Sequence, residues 1–232
     1  MTTRIASYNT HKCVGTDGVR NPGRVIDVIN ALGADVIALQ EVDRRLGDRP
    51  AALPARMIQT LTDYDIADLP RTGPNSLGWH GQAVLIRRGA RIDATHGIDL
   101  PGLEPRGALS ATISVAGRPS FTLFAAHLGL RRRDRRAQWE RIARQMEDAP
   151  APPLAIGDFN EWSKLKGFEP LTGFEVHAPG RSYPSRLPFG RLDRLVTGPG
   201  VRVERMGVFD SPVARRASDH LPIWADVSAI RG

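Results

Sequence analysis

Short apolar runs bounded by turn residues recur along the whole chain: Ile5 to Tyr8, Val36 to Leu39, Ala83 to Ile86, Leu109 to Val115, Phe121 to His127, Leu154 to Ile156, Leu192 to Val196, Val201 to Val208 and Ile223 to Val227. Runs of this length between turn signals predict strands. Leu109, Ala111, Ile113 and Val115 alternate with Ser110, Thr112 and Ser114, the period of a half-buried strand. Phe121, Leu123 and Ala125 carry that period on and point His127 to the same face. The intervening Gly117-Arg118-Pro119 suits a hairpin connection.

Helical spacing is rarer. Val25, Val28, Ile29 and Leu32 form one apolar stripe, with Gly33 as its stop signal. Trp139, Ile142, Ala143 and Met146 form another, with Asp134 before it as a candidate cap. A third helix is expected between Ala52 and Leu61. Many strands with a few interspersed helices predict an α/β or α+β domain built on more than one sheet. No repeat period or linker-like stretch divides the chain, so residues 1–232 are read as a single domain.

Composition narrows the setting. A hydrophobic content of 41% and a charged content of 25% are ordinary for a globular protein with a sizeable core. No apolar run approaches the roughly 20 residues that span a bilayer. The N-terminus enters a strand pattern at once, without the apolar core of a secretion signal. The single cysteine, Cys13, excludes an intramolecular disulfide and a multi-cysteine metal site. A cytoplasmic protein is the simplest expectation. The net charge is +7, and lysine occurs only at positions 12, 164 and 166, so arginine supplies nearly all the positive charge. Arginine forks match phosphate oxygens, which suggests a polyanionic partner such as nucleic acid or an anionic membrane surface. Arginine-rich composition without functional meaning would produce the same balance.

Candidate chemistry sits where the strands end. The run Pro152 to Ile156 stops in Gly157-Asp158-Phe159-Asn160, and strand periodicity would aim Asp158 and Asn160 at one spot. Asn9 and His11 follow the first strand, Gln40-Glu41-Val42-Asp43 the second, His127 ends the Phe121 run, and Asp219-His220 precedes the last strand. Asp193 lies in Arg191-Leu192-Asp193-Arg194. Buried strands rarely present acids unless these are paired or hold a metal. Glu41, emerging from the all-apolar Val36 to Leu39, therefore calls for either a buried arginine or a bound cation.

In order along the chain, Ser7-Tyr8-Asn9-x-His11, Asp35 to Asp43, Gly81-Gln82-Ala83-Val84-Leu85, Ala126-His127-Leu128, Gly157 to Asn160, Leu192-Asp193-Arg194 and Ser218-Asp219-His220-Leu221-Pro222-Ile223 resemble the endonuclease/exonuclease/phosphatase superfamily. These are metal-dependent phosphoesterases that include deoxyribonucleases, apurinic-site endonucleases, sphingomyelinases and inositol-phosphate phosphatases. The resemblance runs from Arg4 to about Val227. It implies a four-layer α/β/β/α sandwich of two mixed sheets packed face to face, with the active site at one end. It implies that Glu41, Asn9 and Asp219 ligate a divalent cation. Oxygen-only donors suit magnesium, which prefers octahedral oxygen at about 2.0–2.1 Å, and manganese also fits. By position, Asp158 would orient or deprotonate the attacking water and Asn160 would stabilise the phosphorus centre. His220, polarised by Asp193, would touch the phosphate or act as base, and His127 would serve the leaving oxygen.

The resemblance also bears on substrate. Arg106, in Glu104-Pro105-Arg106-Gly107, stands where relatives often contact phosphate. His11 replaces the acid of some relatives and is assigned to substrate. Arg131 opens the arginine turn Arg131 to Arg136, expected near the catalytic mouth. Apurinic-site endonucleases usually carry tyrosine in place of His127, which disfavours that activity, and Gln82 stands where many relatives have asparagine. Ser182-Tyr183-Pro184-Ser185 looks like a group of small bacterial members, with Tyr183 and Trp162 able to stack on a ring. A phosphodiester of nucleic acid is expected ahead of a phospholipid or inositol-phosphate head group. A non-catalytic phosphate-binding module on the same fold is the alternative of another class.

Overall fold

The computed structural model describes residues 1–163 and 166–229. The strands are β1 (Thr3–Asn9), β2 (Val36–Gln40), β3 (Tyr64–Ile66), β4 (Ala83–Arg87), β5 (Arg91–Leu100), β6 (Arg106–Ser114), β7 (Phe121–His127), β8 (Pro153–Asp158), β9 (Glu175–His177), β10 (Asp193–Thr197), β11 (Val201–Val208) and β12 (Ile223–Ala229). The helices are α1 (Pro22–Leu32), α2 (Ala55–Leu61), α3 (Arg132–Glu147) and α4 (Pro212–Ala217), with a single tight turn at His11–Cys13. Among the described residues, no helix is long and apolar enough to cross a membrane.

Two six-stranded sheets form, in the orders β11-β12-β1-β2-β4-β3 and β5-β6-β7-β8-β10-β9. Each is mixed: β1–β2 and β7–β8 run parallel, and the other pairs antiparallel. Strand periodicity sorts the apolar residues into layers. Ile5, Val36, Ala38, Leu109, Ala111, Leu123, Ala125, Leu154, Ile156, Leu195 and Ile223 interdigitate between the sheets. The alternate residues of the first sheet, such as Ala6, Tyr8, Ile37 and Leu39, pack under α1, α2 and α4. Those of the second, such as Phe124, Ala126, Ala155 and Val196, pack under α3. The result is the expected four-layer α/β/β/α sandwich.

Local chemistry explains the element ends. Asn21 caps α1 by accepting the Arg24 N–H at 3.4 Å, Pro22 opens the helix, and Gly33 closes it in left-handed backbone with φ of 58°. A Cβ at Gly157 would run into the Ala126 carbonyl oxygen, so only glycine lets β8 lie against β7 here. Asp134 does not cap α3. The helix begins earlier, with Arg131 as its cap residue and no side-chain cap bond, and Asp134 instead accepts the N–H of Leu103 at 3.1 Å. Strands β3, β5 and β9 were not foreseen. All three lie on sheet edges, where few side chains are buried.

Candidate active site

Register brings the predicted strand ends to one edge of the sandwich. Asn9 pairs with Gln40 across β1–β2, so Glu41 emerges beside Asn9. His127 pairs with Asp158 across β7–β8, and Asp158 with Asp193 across β8–β10. Ser7 pairs with Ile223, which sets Asp219-His220 at the same end. Asn9, His127, Asp158 and Asp193 each continue the inward-facing period of their strand past the last core side chain. The apolar seam between the sheets thus opens into a polar mouth. The two sheets meet there directly, because Asn9 Nδ2 donates to Asp158 Oδ2 at 3.0 Å.

Asp158 is the hub. It is 1% exposed, and its Oδ2 lies 3.4 Å from His127 Nε2 and 3.6 Å from His220 Nε2. Burial, reinforced by Asp193 and opposed by His220, raises its carboxyl to about 6. His220 Nδ1 lies 2.9 Å from Asp193 Oδ2, which also accepts the Ser182 hydroxyl at 2.5 Å. Burial disfavours charge on His220, but the surrounding carboxylates Asp193 and Asp158 win and raise it to about 10, so it is an imidazolium at neutral pH. His127 is the opposite case. Burial and the Arg106 guanidinium push it well below the ordinary histidine range. Arg106 Nη1 lies 2.9 Å from His127 Nδ1, and a guanidinium can only donate. Nδ1 is therefore the acceptor, and the ring proton sits on Nε2, facing Asp158.

The first sheet contributes a different environment. Glu41 has left-handed backbone with φ of 55°, and its carboxylate is paired with the Lys12 ammonium, not with a buried arginine. Burial works against its charge, yet the charge that His127 carries when protonated, with those of Lys12 and Arg45, prevails and holds it down to about 2. Lys12 reaches it because His11, Lys12 and Cys13 are all left-handed, and because the Lys12 N–H donates to the Glu41 carbonyl at 3.0 Å. Asn9 Oδ1 accepts the His11 N–H at 3.0 Å. His11 Nδ1 lies 3.0 Å from the Val14 carbonyl and 3.7 Å from Asp219 Oδ1.

Two places bring candidate metal donors together. An ionised carboxylate that already attracts a cation, beside an amide oxygen with a spare lone pair, fits a hard divalent ion at Glu41 and Asn9. Asp158, Asp193 and His220 also offer three atoms within 4.8 Å of one another. There, however, the imidazolium is itself the cation, hydrogen-bonded to Asp193. An ion would have to expel that proton, and the group is better described as an acid–imidazolium–acid relay.

Asn160 reaches the site by a route other than strand periodicity. The strand stops at Asp158, and Asn160 is left-handed with φ of 50°. Its N–H folds back on Asp158 Oδ1 at 3.0 Å, and its Nδ2 donates to the Leu128 carbonyl at 2.9 Å. Arg106 opens β6 and is buried, clamped by Glu104 at 2.6 and 3.0 Å as well as meeting His127. The arginine turn is partly structural. Arg132 and Arg135 pair with the buried Glu161 at 3.0 and 2.7 Å, and Arg135 also caps the carbonyls of Gly129 and Leu130. Arg131 is exposed, and its side chain makes no hydrogen bond or ion pair with the centre among the described residues. Trp162 meets Tyr183 edge-on at 6.0 Å, and Tyr183 lies 4.8 Å from the His220 ring. Lys12, Arg45 and Glu161 were not foreseen. The signal for Lys12 was that one of only three lysines stands directly after the Asn9 motif.

The family model of the Endonuclease/Exonuclease/phosphatase family matches residues 6–220, and the chain belongs to that family. Its fold is similar to a family member from Bacteroides thetaiotaomicron, with 18% identity, a TM-score of 0.78, and coverage of 98% of this chain and 97% of that one. It is also similar to D. rerio TDP2 complexed with single-strand DNA product, with 16% identity, a TM-score of 0.75, and coverage of 98% and 99%. A third likeness is to a mannosyl-6-phosphatase of Bacteroides thetaiotaomicron, with 18% identity, a TM-score of 0.75, and coverage of 97% and 99%. No curated protein matches the sequence.

Proposed function

We propose that this protein is a magnesium-dependent phosphoesterase that hydrolyses a phosphodiester of nucleic acid by direct attack of water. The observation that carries the reading is the crowding of Asn9, His127 and His220 around one buried carboxylate, that of Asp158. A carboxyl near 6 is ionised at neutral pH yet basic enough to take a proton from water, the balance a general base needs. The imidazolium of His220, oriented by Asp193 and Ser182, supplies positive charge to a phosphoryl oxygen. The Asn160 carboxamide has a second N–H for the phosphorus centre. His127 is neutral with its proton on Nε2, so it donates a hydrogen bond to the leaving oxygen and does not act as a strong acid. A divalent ion held by Glu41, with Asn9 and Asp219 as further oxygen donors, would neutralise charge on the phosphoryl group.

Nucleic acid is favoured by the net charge of +7 and by the single-strand DNA product bound to TDP2. An anionic phospholipid or inositol-phosphate head group is the second reading. It draws on Trp162 and Phe189, which are 55% and 60% exposed and reach His220 through Tyr183. The test is hydrolysis of plasmid DNA against anionic phospholipid vesicles, each with magnesium or EDTA. Nicking that disappears with EDTA and in Asp158→Asn is expected. Phosphate release from vesicles without nicking would reverse the order, and no turnover of any ester would favour a binding module.

A further inference from the structure

A cavity of ≈ 260 Å³ opens directly off the centre and shares Lys12, Glu41, Arg106 and His127 with it. Its outer wall is made by the loop after β2, through Arg44, Arg45 and Arg49, and by His80. Ligand sites for whole drug-sized molecules run to about 300–1,000 Å³, so this space suits one group of a substrate. Three carboxylates line it, Glu41, Asp43 and Glu104, and each is already occupied. Glu41 holds Lys12, Glu104 holds Arg106, and Asp43 accepts the N–H groups of Leu77 and Gly78 at 2.6 and 3.2 Å. Arg49 rests on His80 Nδ1 at 3.4 Å. The exposed guanidinium groups of Arg44 and Arg45 make no hydrogen bond or ion pair among the described residues. The charge of Arg45 nevertheless acts on both Glu41 and His127, so it lies within electrostatic reach of the reacting groups.

Backbone strain points to the same place. Among the described residues, the non-glycine ones with left-handed backbone are His11, Lys12, Cys13, Glu41, Arg49, His80 and Asn160. Four of the seven, Lys12, Glu41, Arg49 and His80, line this cavity. Such conformations cost about 1–3 kcal/mol each and persist where the surroundings hold them for a purpose.

We propose that this cavity is a second anion site, and that the preferred substrate carries another phosphate next to the one being hydrolysed, held by Arg44 and Arg45. The proposal rests on the phosphoesterase reading and specifies its substrate class. Two planar forks without acid partners suit the two free oxygens of a phosphate diester or the three of a monoester. The second phosphate could therefore belong to a neighbouring nucleotide or to a small bisphosphate.

The test is calorimetric binding to the full-length Asp158→Asn chain in magnesium, using adenosine 5′-monophosphate, adenosine 3′,5′-bisphosphate and a 5′-phosphorylated dideoxyadenylate dinucleotide. At least one two-phosphate probe should bind about tenfold tighter than the monophosphate, as expected for one added charge-assisted contact. Adding Arg44→Ala and Arg45→Ala should bring that ratio to about one. For the dinucleotide, the slope of log affinity against log salt should also fall by roughly one. A gain only with the bisphosphate identifies a small substrate, and a gain only with the dinucleotide identifies a polynucleotide. Equal affinity for all three probes, or a gain that survives the double substitution, overturns the second site. Turnover of a chromogenic phosphodiester by the chain with Asp158 intact reads the underlying phosphoesterase assignment separately, so the two can fail independently.

Discussion

The two sheets bring different kinds of chemistry to the shared mouth. The second sheet supplies His127, Asp158 and Asp193 from strands buried on both faces, and His220 folds over them. Their polar atoms lie 2.9–3.6 Å apart with little exposure. The first sheet supplies Asn9 from a strand, but Glu41, Lys12 and His11 from left-handed turns that are only partly buried. On the proposed reading, the proton-handling groups are thus fixed by packing before any substrate arrives. The groups proposed to handle charge lie around a cation, the Lys12 ammonium paired with Glu41. Low dielectric strengthens the interactions of the buried half, while the open half can exchange one positive partner for another.

Removing the hub of the buried half should have the largest effect. Asp158→Asn keeps the shape but loses the base, and kcat should fall by about 10²–10⁴-fold, read on a chromogenic phosphodiester. Unfolding in urea probes the support beneath that half. Glu161→Ala leaves Arg135 buried without its carboxylate and should cost about 3–5 kcal/mol of stability. A loss well under 1 kcal/mol would mean that the arginine turn does not anchor α3.

Titration separates the two histidines. Asp158 must be ionised, so activity should rise with pH through about 6. His220 must keep its proton, so activity should fall through about 10. Asp193→Asn removes the largest influence that raises His220 while leaving the burial that lowers it. The upper limb should therefore move to lower pH while the lower limb persists. An unmoved upper limb would remove His220 from the cationic role. The smallest effect belongs to the open half. Lys12→Met removes a partly exposed pair worth about 1 kcal/mol, so manganese should bind about fivefold tighter. Weaker binding would make Lys12 a partner of the ion's site and not its competitor.

Most of this arrangement was legible in the chain, for physical reasons. Strands buried on both faces write themselves as apolar runs, and a polar residue continuing such a run has to serve the mouth, as His127 and Asp158 do. Strands β3, β5 and β9 were missed because an edge strand buries too little to impose a pattern. Asn160 reached the site through an aspartate-centred turn, where strand periodicity does not apply. The arginine turn could not be divided in advance, since the carboxylate that claims Arg132 and Arg135 comes from the loop after β8. The basic loop after Glu41 carried a readable Arg44-Arg45 pair, but only the fold shows that it walls a cavity beside His127.

Where the cation binds decides between the two halves of the mouth, and a calorimetric manganese titration of the wild type, Glu41→Gln and Asp193→Asn tests it directly. One ion should bind the wild type and Asp193→Asn, and binding should be lost in Glu41→Gln. Binding that survives in Glu41→Gln and disappears in Asp193→Asn would put the metal on the Asp158, Asp193 and His220 group and contradict the division of labour described above.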